Sequence, residues 1–380
     1  MRRVFIGHDS VVTSLGRTTE ENYAAIFSGR SGIAVEEFHG ITATTARIDQ
    51  SMIDAACASQ KIDNTHTRLE KLFILSITDV LSRSSVDPEN PRTALVISTT
   101  KGNVGELSRR GDPHSRVNLI DMAHHIAAYF GFKSSPHVVS NACVSGLSAI
   151  AYARALISAG VCDAAVVSGG DVITDFVLSG FLSFRAISDE PCAPFDAGRK
   201  GLSLGEGCAT IVLSSDRMIA AGLCPVEIIG SASSNDANHI SGPSRDGGGL
   251  LLSVEKAMNE AKITAGGVHS ISAHGTGTVY NDEMESKAFY RAALGDVPLY
   301  SLKGYVGHTL GAAGVIESVI AVNSVRRNEI VASCGFVTSG VPMSINVCRK
   351  SGAMRNDVCL KTASGFGGCN AAILFAKGER

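Results

Sequence analysis

Two kinds of hydrophobic pattern alternate along the chain. Short apolar runs rich in β-branched residues predict strands at TALVIS (93–98), DAAVVS (163–168) and CATIVLS (208–214). Further runs follow at VEIIGSAS (226–233), VHSISAH (268–274), VPLYSL (297–302), IVASCGF (330–336) and AAILFA (371–376). Between them, longer segments of helical character predict helices at about 118–130, 144–159, 250–264, 282–293 and 309–326. Strands interleaved with helices define an α/β protein.

The pattern also repeats. GEGCATIVLSSDR (205–217) resembles GGCNAAILFAKGER (367–380), each a Gly-rich turn, a Cys and an apolar strand ending in charge. A strand leading through Cys143 into a buried Ala-rich helix parallels a strand leading through Lys303 and His308 into another. Two related halves, 1–222 and 223–380, would account for both matches, although two Gly-turn-strand units can also be alike by chance.

Composition narrows the classes. The chain has 380 residues, 44% of them hydrophobic, and a net charge of −2, which gives no support to nucleic-acid or membrane binding as its main task. The opening MRRVFIGHDS has its apolar run broken at once by His8 and Asp9, so a cytoplasmic protein is expected. Ten cysteines contain no C-x-x-C pair and most lie in apolar or small-residue runs, which argues for packing rather than zinc.

Three constellations could carry chemistry. Cys143, in HVVSNACVSGLSAI, stands where a strand turns into a buried helix. It could be core filling, a metal ligand, or a nucleophile whose thiolate the helix N-terminus favours. SAHGTGTVYNDEMES (272–286) places His274 at a strand end beside Thr276 and Thr278, with Asp282, Glu283 and Glu285 opening a helix that they could simply cap. SLKGYVGHTLGAAGVIES (301–318) places Lys303 at a strand end and His308 at the start of a buried helix. A buried lysine needs a partner, and Glu285 is the expected one, in catalytic support or as an ordinary ion pair.

Taken together, these motifs resemble the condensing enzymes of the thiolase fold, specifically the β-ketoacyl-[acyl carrier protein] synthases of the I/II type. The resemblance runs nearly end to end, through VFIGHDSVVTSLG, FSGRSGI, NACVSG, PFDAGRKGLSLGEG, HGTGT, KGYVGHTLGAAG and SGFGGCNAAILF. It implies duplicated thiolase-like halves in a five-layered αβαβα arrangement. It implies a decarboxylative Claisen condensation of malonyl-carrier protein with an acyl chain held on Cys143. His274 and His308 would stabilise the enolate, with Lys303 and Glu285 orienting them. The N–H groups of Cys143 and Phe366 would form the oxyanion hole, and Phe366 the gate. Thr276 and Thr278 would hold the phosphopantetheine arm, Ser364 would line the substrate site, and Arg185 would stand near its entrance for the carrier protein. Arg109, Arg110 and Arg116 are carrier-contact candidates from charge alone. No cofactor or metal is implied beyond the carrier's own arm. The partners implied are acyl carrier protein and a second ketosynthase-like subunit, identical or a related chain-length subunit lacking the Cys.

Departures from the family pattern bear on the substrate. Ser364 stands where the closing loop usually has Phe, and ISTTKGNVG puts Lys101 near the acyl pocket or dimer seam. These point away from long saturated chains and toward polyene- or polyketide-type chain building. The rivals are a thiolase-type acyltransferase, which needs a second Cys in a C-x-G-x-G loop, and a non-catalytic chain-length partner, which has no need of Cys143, His274 and His308 together.

Overall fold

The computed structural model describes residues 2–108 and 117–378, so Arg109, Arg110 and Arg116 lie outside the described residues. Ten strands form the main sheet: β1 (Phe5–Thr13), β2 (Thr93–Ser98), β3 (His137–Val139), β4 (Ala164–Asp171), β5 (Gly207–Ser214), β6 (Val226–Asn235), β7 (Ser270–Ser272), β8 (Leu299–Tyr300), β9 (Val358–Gly365) and β10 (Cys369–Lys377). The helices that build the layers are α1 (Arg68–Arg83), α2 (Leu119–Phe130), α3 (Ser145–Ser158), α4 (Gly248–Ala261), α5 (Val279–Arg291) and α6 (Ala313–Arg327), with shorter helices such as Thr19–Phe27 beside them.

The strand order is β8-β7-β9-β10-β6-β1-β5-β4-β2-β3. Outward from the centre it reads β1-β5-β4-β2-β3 on one side and β6-β10-β9-β7-β8 on the other, the same path with every number raised by five. Strand directions repeat as well. β1–β5 and β5–β4 are antiparallel while β4–β2 and β2–β3 are parallel. Their counterparts in the second half pair in the same senses. The two half-sheets pair through β1 and β6, at Phe5↔Glu227 and Ile6↔Val226.

The helices follow the repeat. α3 and α6 lie between the two half-sheets in one core with Val144, Leu147, Ile150, Val315, Val319 and Val322. α1 and α2 cover the outside of the first half, and α4 and α5 the outside of the second. The layers are therefore helix, sheet, helix pair, sheet, helix, as expected.

Local chemistry fixes the ends. Thr67 and Glu70 form a capping box at the start of α1. Gly131, at φ 75°, closes α2. α6 is apolar and buried on every side until Arg326 and Arg327 reach its last turn.

Some expectations are corrected. In the predicted strand 330–336 only Ile330 pairs, Glu329–Ile330 lying opposite Gly352–Ala353, and the rest is loop in which Val331 and Ser333 are buried. The predicted helix at 309 starts with a tight 3-10 turn over Leu310–Ala312 before α6. β1, β9 and α1 were not anticipated. β9 (VCLKTASG) is interrupted by a lysine and hydroxyl residues, yet Cys359–Ser364 are buried. Among the described residues no helix is long and apolar enough to cross a membrane.

Candidate active site

Cys143 follows β3, and its turn is held by local polar contacts. The Asn141 N–H donates to Ser145 Oγ (2.7 Å), whose hydroxyl donates to the Ala142 carbonyl (2.6 Å). Ala142 has φ 44°, a left-handed conformation that a small residue adopts at least cost. Val144 then leads into α3 with no side-chain cap.

The equivalent turn of the second half, after β8, carries Lys303 and His308. The two turns are brought together where α3 and α6 cross. A Cβ on Gly146 would lie 2.7 Å from the Val315 nitrogen, and one on Gly314 would lie 2.2 Å from the Leu147 nitrogen. Only glycine permits this approach. The GLSLGEG stretch lies along the second turn, since His308 N–H donates to Ser203 O (2.7 Å) and Gly205 N–H to His308 O (3.0 Å).

His274, at the end of β7, faces His308 with ring centroids 5.2 Å apart and planes at 85°. Lys303 Nζ donates to His274 Nδ1 (3.2 Å), and Leu310 N–H donates to His308 Nδ1 (3.1 Å). Both Nδ1 atoms thus act as acceptors, which assigns the proton of each neutral ring to Nε2. His308 Nε2 is buried without a hydrogen-bond partner among the described residues. Burial, and then the charge of Lys303, hold both imidazoles well below the ordinary histidine range. Both rings and Cys143 line one cavity of about 360 Å³, whose lining also includes Thr276, Thr278, Phe366, Ser364 and the exposed Arg185.

The expected Lys303–Glu285 ion pair is not formed. Lys303 Nζ instead meets Glu317 Oε1 of α6 at 2.6 Å and the His274 carbonyl at 2.7 Å. Glu285 accepts the His274 and Gly275 N–H groups (2.8 and 2.6 Å) and Asn281 Nδ2 (2.9 Å). Asp282 accepts from Thr276 and Phe195 N–H. These two acids therefore satisfy the backbone of the HGTGT loop, and neither caps its own helix. Burial, with Asp282 close by, pushes Glu285 up to about 7.

Cys143 also departs from expectation. Burial outweighs Lys303 and the Phe366 N–H, which faces the sulfur, and pushes the thiol up to about 11. The resting thiol is protonated. A Cβ on Gly365 would lie 3.0 Å from Cys143 N, so the loop carrying the Phe366 N–H presses against the Cys143 backbone. The Phe366 ring packs on Phe181 (5.9 Å) and Phe184 (5.7 Å). Ser364 Oγ donates to Asn370 Oδ1 (2.8 Å), and Asn370 Nδ2 to Asp236 Oδ1 (2.9 Å), so a polar chain stands where Phe was expected. Thr276 and Thr278 hydroxyls are 2.8 Å apart. Arg185 adopts φ 52°. Lys101 is exposed and does not line the cavity.

Sequence reasoning missed Glu317, Lys361 and Asp171. Lys361 meets the other Glu317 oxygen at 2.7 Å. Asp171, at the end of β4, accepts from Thr99 Oγ1 (2.7 Å), Thr100 N–H (2.9 Å) and Gly311 N–H (2.7 Å), tying the first half to the turn that follows His308. Away from the cavity, His66, Glu70 and His125 bring ligand atoms within 4.8 Å of one another. Glu70 there is already engaged by Thr67 N–H and Asn103 Nδ2.

Residues 1–218 match the beta-ketoacyl synthase N-terminal domain and residues 226–337 the beta-ketoacyl synthase C-terminal domain. The chain belongs to the β-ketoacyl synthase family and is an acyltransferase-class condensing enzyme. It is 29% identical to 3-oxoacyl-[acyl-carrier-protein] synthase 2 of Vibrio cholerae, covering 99% of each chain. It is 30% identical to the tetracenomycin polyketide synthase ketoacyl synthase alpha subunit of Streptomyces glaucescens, covering 83% of this chain and 82% of that one. A ketosynthase in complex with its chain length factor from Xenorhabdus doucetiae shares the fold with a TM-score of 0.83 at 23% identity, covering 99% of this chain and 98% of that one.

Proposed function

We propose that Cys143 carries the acyl chain and that His274 and His308 together generate the carbon nucleophile. The two halves, 1–222 and 223–380, would supply these two functions separately. The observation that carries this reading is the convergence of two Nε2–H donors on the cavity that holds the Cys143 thiol.

In the first stage the sulfur attacks an acyl thioester, and the Cys143 and Phe366 N–H groups stabilise the tetrahedral oxyanion. Cys143 gives up its proton during the attack, and the departing pantetheine thiolate takes one up. In the second stage malonyl thioester binds. Its C–CO2 bond breaks and the electron pair moves toward the thioester oxygen, where two fixed Nε2–H donors meet the growing charge. Neutral imidazoles suit this dry site, because they donate without adding a charge of their own. The enolate carbon attacks the acyl carbonyl, the C–S bond to Cys143 breaks to leave a thiolate that takes up a proton from solvent, and the β-ketoacyl product leaves on its carrier.

The pantetheine arm would run past Thr276 and Thr278, with acyl carrier protein at the Arg185 rim and no further cofactor. The polar Ser364–Asn370–Asp236 chain supports an unsaturated or oxygenated acyl chain. It favours polyene- or polyketide-type synthesis with a related chain-length subunit over long saturated chains, in the cytoplasm. Incubation with acyl- and malonyl-carrier protein tests the chemistry. The expected results are CO2 release and a mass gain on the protein that Cys143→Ala abolishes. Acylation persisting in Cys143→Ala would overturn the assignment. Native mass measurement with candidate partners tests the assembly, and a stable homodimer that elongates saturated chains alone would overturn the specialised reading.

A further inference from the structure

Two lysines share one glutamate behind the histidine pair. Lys303, Lys361 and Glu317 are all buried, at 0%, 0% and 2% exposure, so their charges are set against one another and not against solvent. Glu317 gives Oε1 to Lys303 at 2.6 Å and Oε2 to Lys361 at 2.7 Å. Lys361 Nζ is also held by the carbonyls of Ser272 (3.1 Å), Ala273 (3.3 Å) and Thr362 (2.6 Å), the first two belonging to the segment that presents His274. Two ammoniums and one carboxylate leave a net charge of +1. Without Lys361, Lys303 and Glu317 would form a neutral pair.

We propose that Lys361 is a positioning residue for decarboxylation: by occupying half of Glu317 it leaves the cluster behind His274 positive when negative charge develops at the imidazole donors. This rests on the reading that His274 and His308 hold the enolate. A buried charge of +1 is costly in itself and is usually neutralised. Here the triad's excess positive charge lies behind His274, whose Nδ1 accepts directly from Lys303, and the carboxyl of Glu285, itself pushed up by burial, offsets it only in part. Stabilisation of charge that appears only in the transition state raises rate and not ground-state binding. The groups facing Lys361 are Glu317 from α6, Lys303 from the turn after β8, Glu285 from α5 and Lys361's strand neighbour Cys359. Its charge bears on both imidazoles, and it is not among the main influences on Cys143.

The test separates the two half-reactions. Malonyl-carrier decarboxylation and Cys143 acylation would be measured for the wild type, Lys361→Met, Lys361→Gln, and Lys361→Met combined with Glu317→Gln. Both single variants set the cluster to zero and should slow decarboxylation about tenfold or more, with acylation within about threefold. The double variant returns the charge to +1 and should recover much of the loss. The acid limb of the decarboxylation profile should move to higher pH in the single variants, because the imidazoles then protonate more readily, and return in the double. Lys361→Gln keeps a hydrogen-bond donor and covers the case in which Lys361→Met fails to fold. Equal loss of both half-reactions, or a double variant worse than either single one, would overturn the proposal. A wild type that acylates Cys143 but never releases CO2 would instead overturn the reading beneath it.

Discussion

Gly146 and Gly314 touch backbone to backbone where α3 crosses α6, and a Cβ on Gly314 would come within 2.7 Å of the Gly146 carbonyl carbon. This contact sets the distance between the turn carrying Cys143 and the turn carrying His308. Gly314→Ala should therefore force the helices apart, costing about 1–3 kcal/mol by overpacking. Denaturant unfolding would show the loss, and decarboxylation and acylation should fall together. A variant of unchanged stability and activity would mean that the crossing can relax without moving the site.

Removing one of the two proposed enolate donors should be more damaging than its small effect on packing. His308→Ala and His274→Ala should each slow CO2 release by about two to three orders of magnitude. Single-turnover acylation of Cys143 should change far less. Stopped-flow measurement of the two steps separates them, and equal loss in both would argue that the histidines act on the sulfur.

Alkylation of Cys143 should have an unusual pH dependence. Burial pushes this thiol up to about 11, so the thiolate fraction keeps rising well past the range of an ordinary cysteine. The rate with iodoacetamide should rise about tenfold per pH unit between 7 and 9. A plateau near neutrality would show that the helix end prevails over burial.

Both histidines are held neutral by burial, with a sign that can be checked. Their folded values lie below the unfolded value, so at acid pH the unfolded chain binds protons that the folded chain refuses. Stability contributed by these groups is present above about 6.5 and declines as pH falls below it. The wild type should lose more stability between pH 7 and 5 than a His274→Gln/His308→Gln variant, measured by urea unfolding. An equal loss would place the acid sensitivity elsewhere.

Glu317 and Glu285 should respond differently to loss of charge. Glu317→Gln strands two buried ammoniums and should destabilise the fold by about 3–5 kcal/mol. Glu285→Gln should cost less, because burial, by pushing its carboxyl up to about 7, already leaves it only about half ionised at neutral pH, and an amide oxygen can still accept the His274 N–H. Urea midpoints at one pH would rank the two. The reverse order would restore Glu285 as the main counter-charge.

The placement of Cys143, His274 and His308 was legible because each stands at a strand end with small neighbours, a position that local pattern reveals. Glu317 was not. It sits in VIESVIAVNSV, whose apolar residues cover every face of α6, and its side chain meets Lys303 only because α6 is central. The available signal was the charge itself, since an acid in a helix with no polar face requires a buried cation. β9 was missed for the complementary reason. Lys361, Thr362 and Ser364 look like surface residues in sequence, and the first of them is buried because a carboxylate awaits it. Glu285 was placed correctly near His274 but given the wrong partner, because sequence separation says nothing about whether a carboxylate faces an ammonium or a row of amides.

The matching strand paths of the two halves have a further consequence. Cys143 and the Lys303–His308 turn occupy the same station in two copies of one unit, each between a third parallel strand and a central helix. Exchanging the two copies would swap the place proposed to store the acyl group with the place proposed to make its partner reactive. On the function proposed above, the chemistry would be divided between the two copies, so neither would hold a complete catalyst and separating them should silence both.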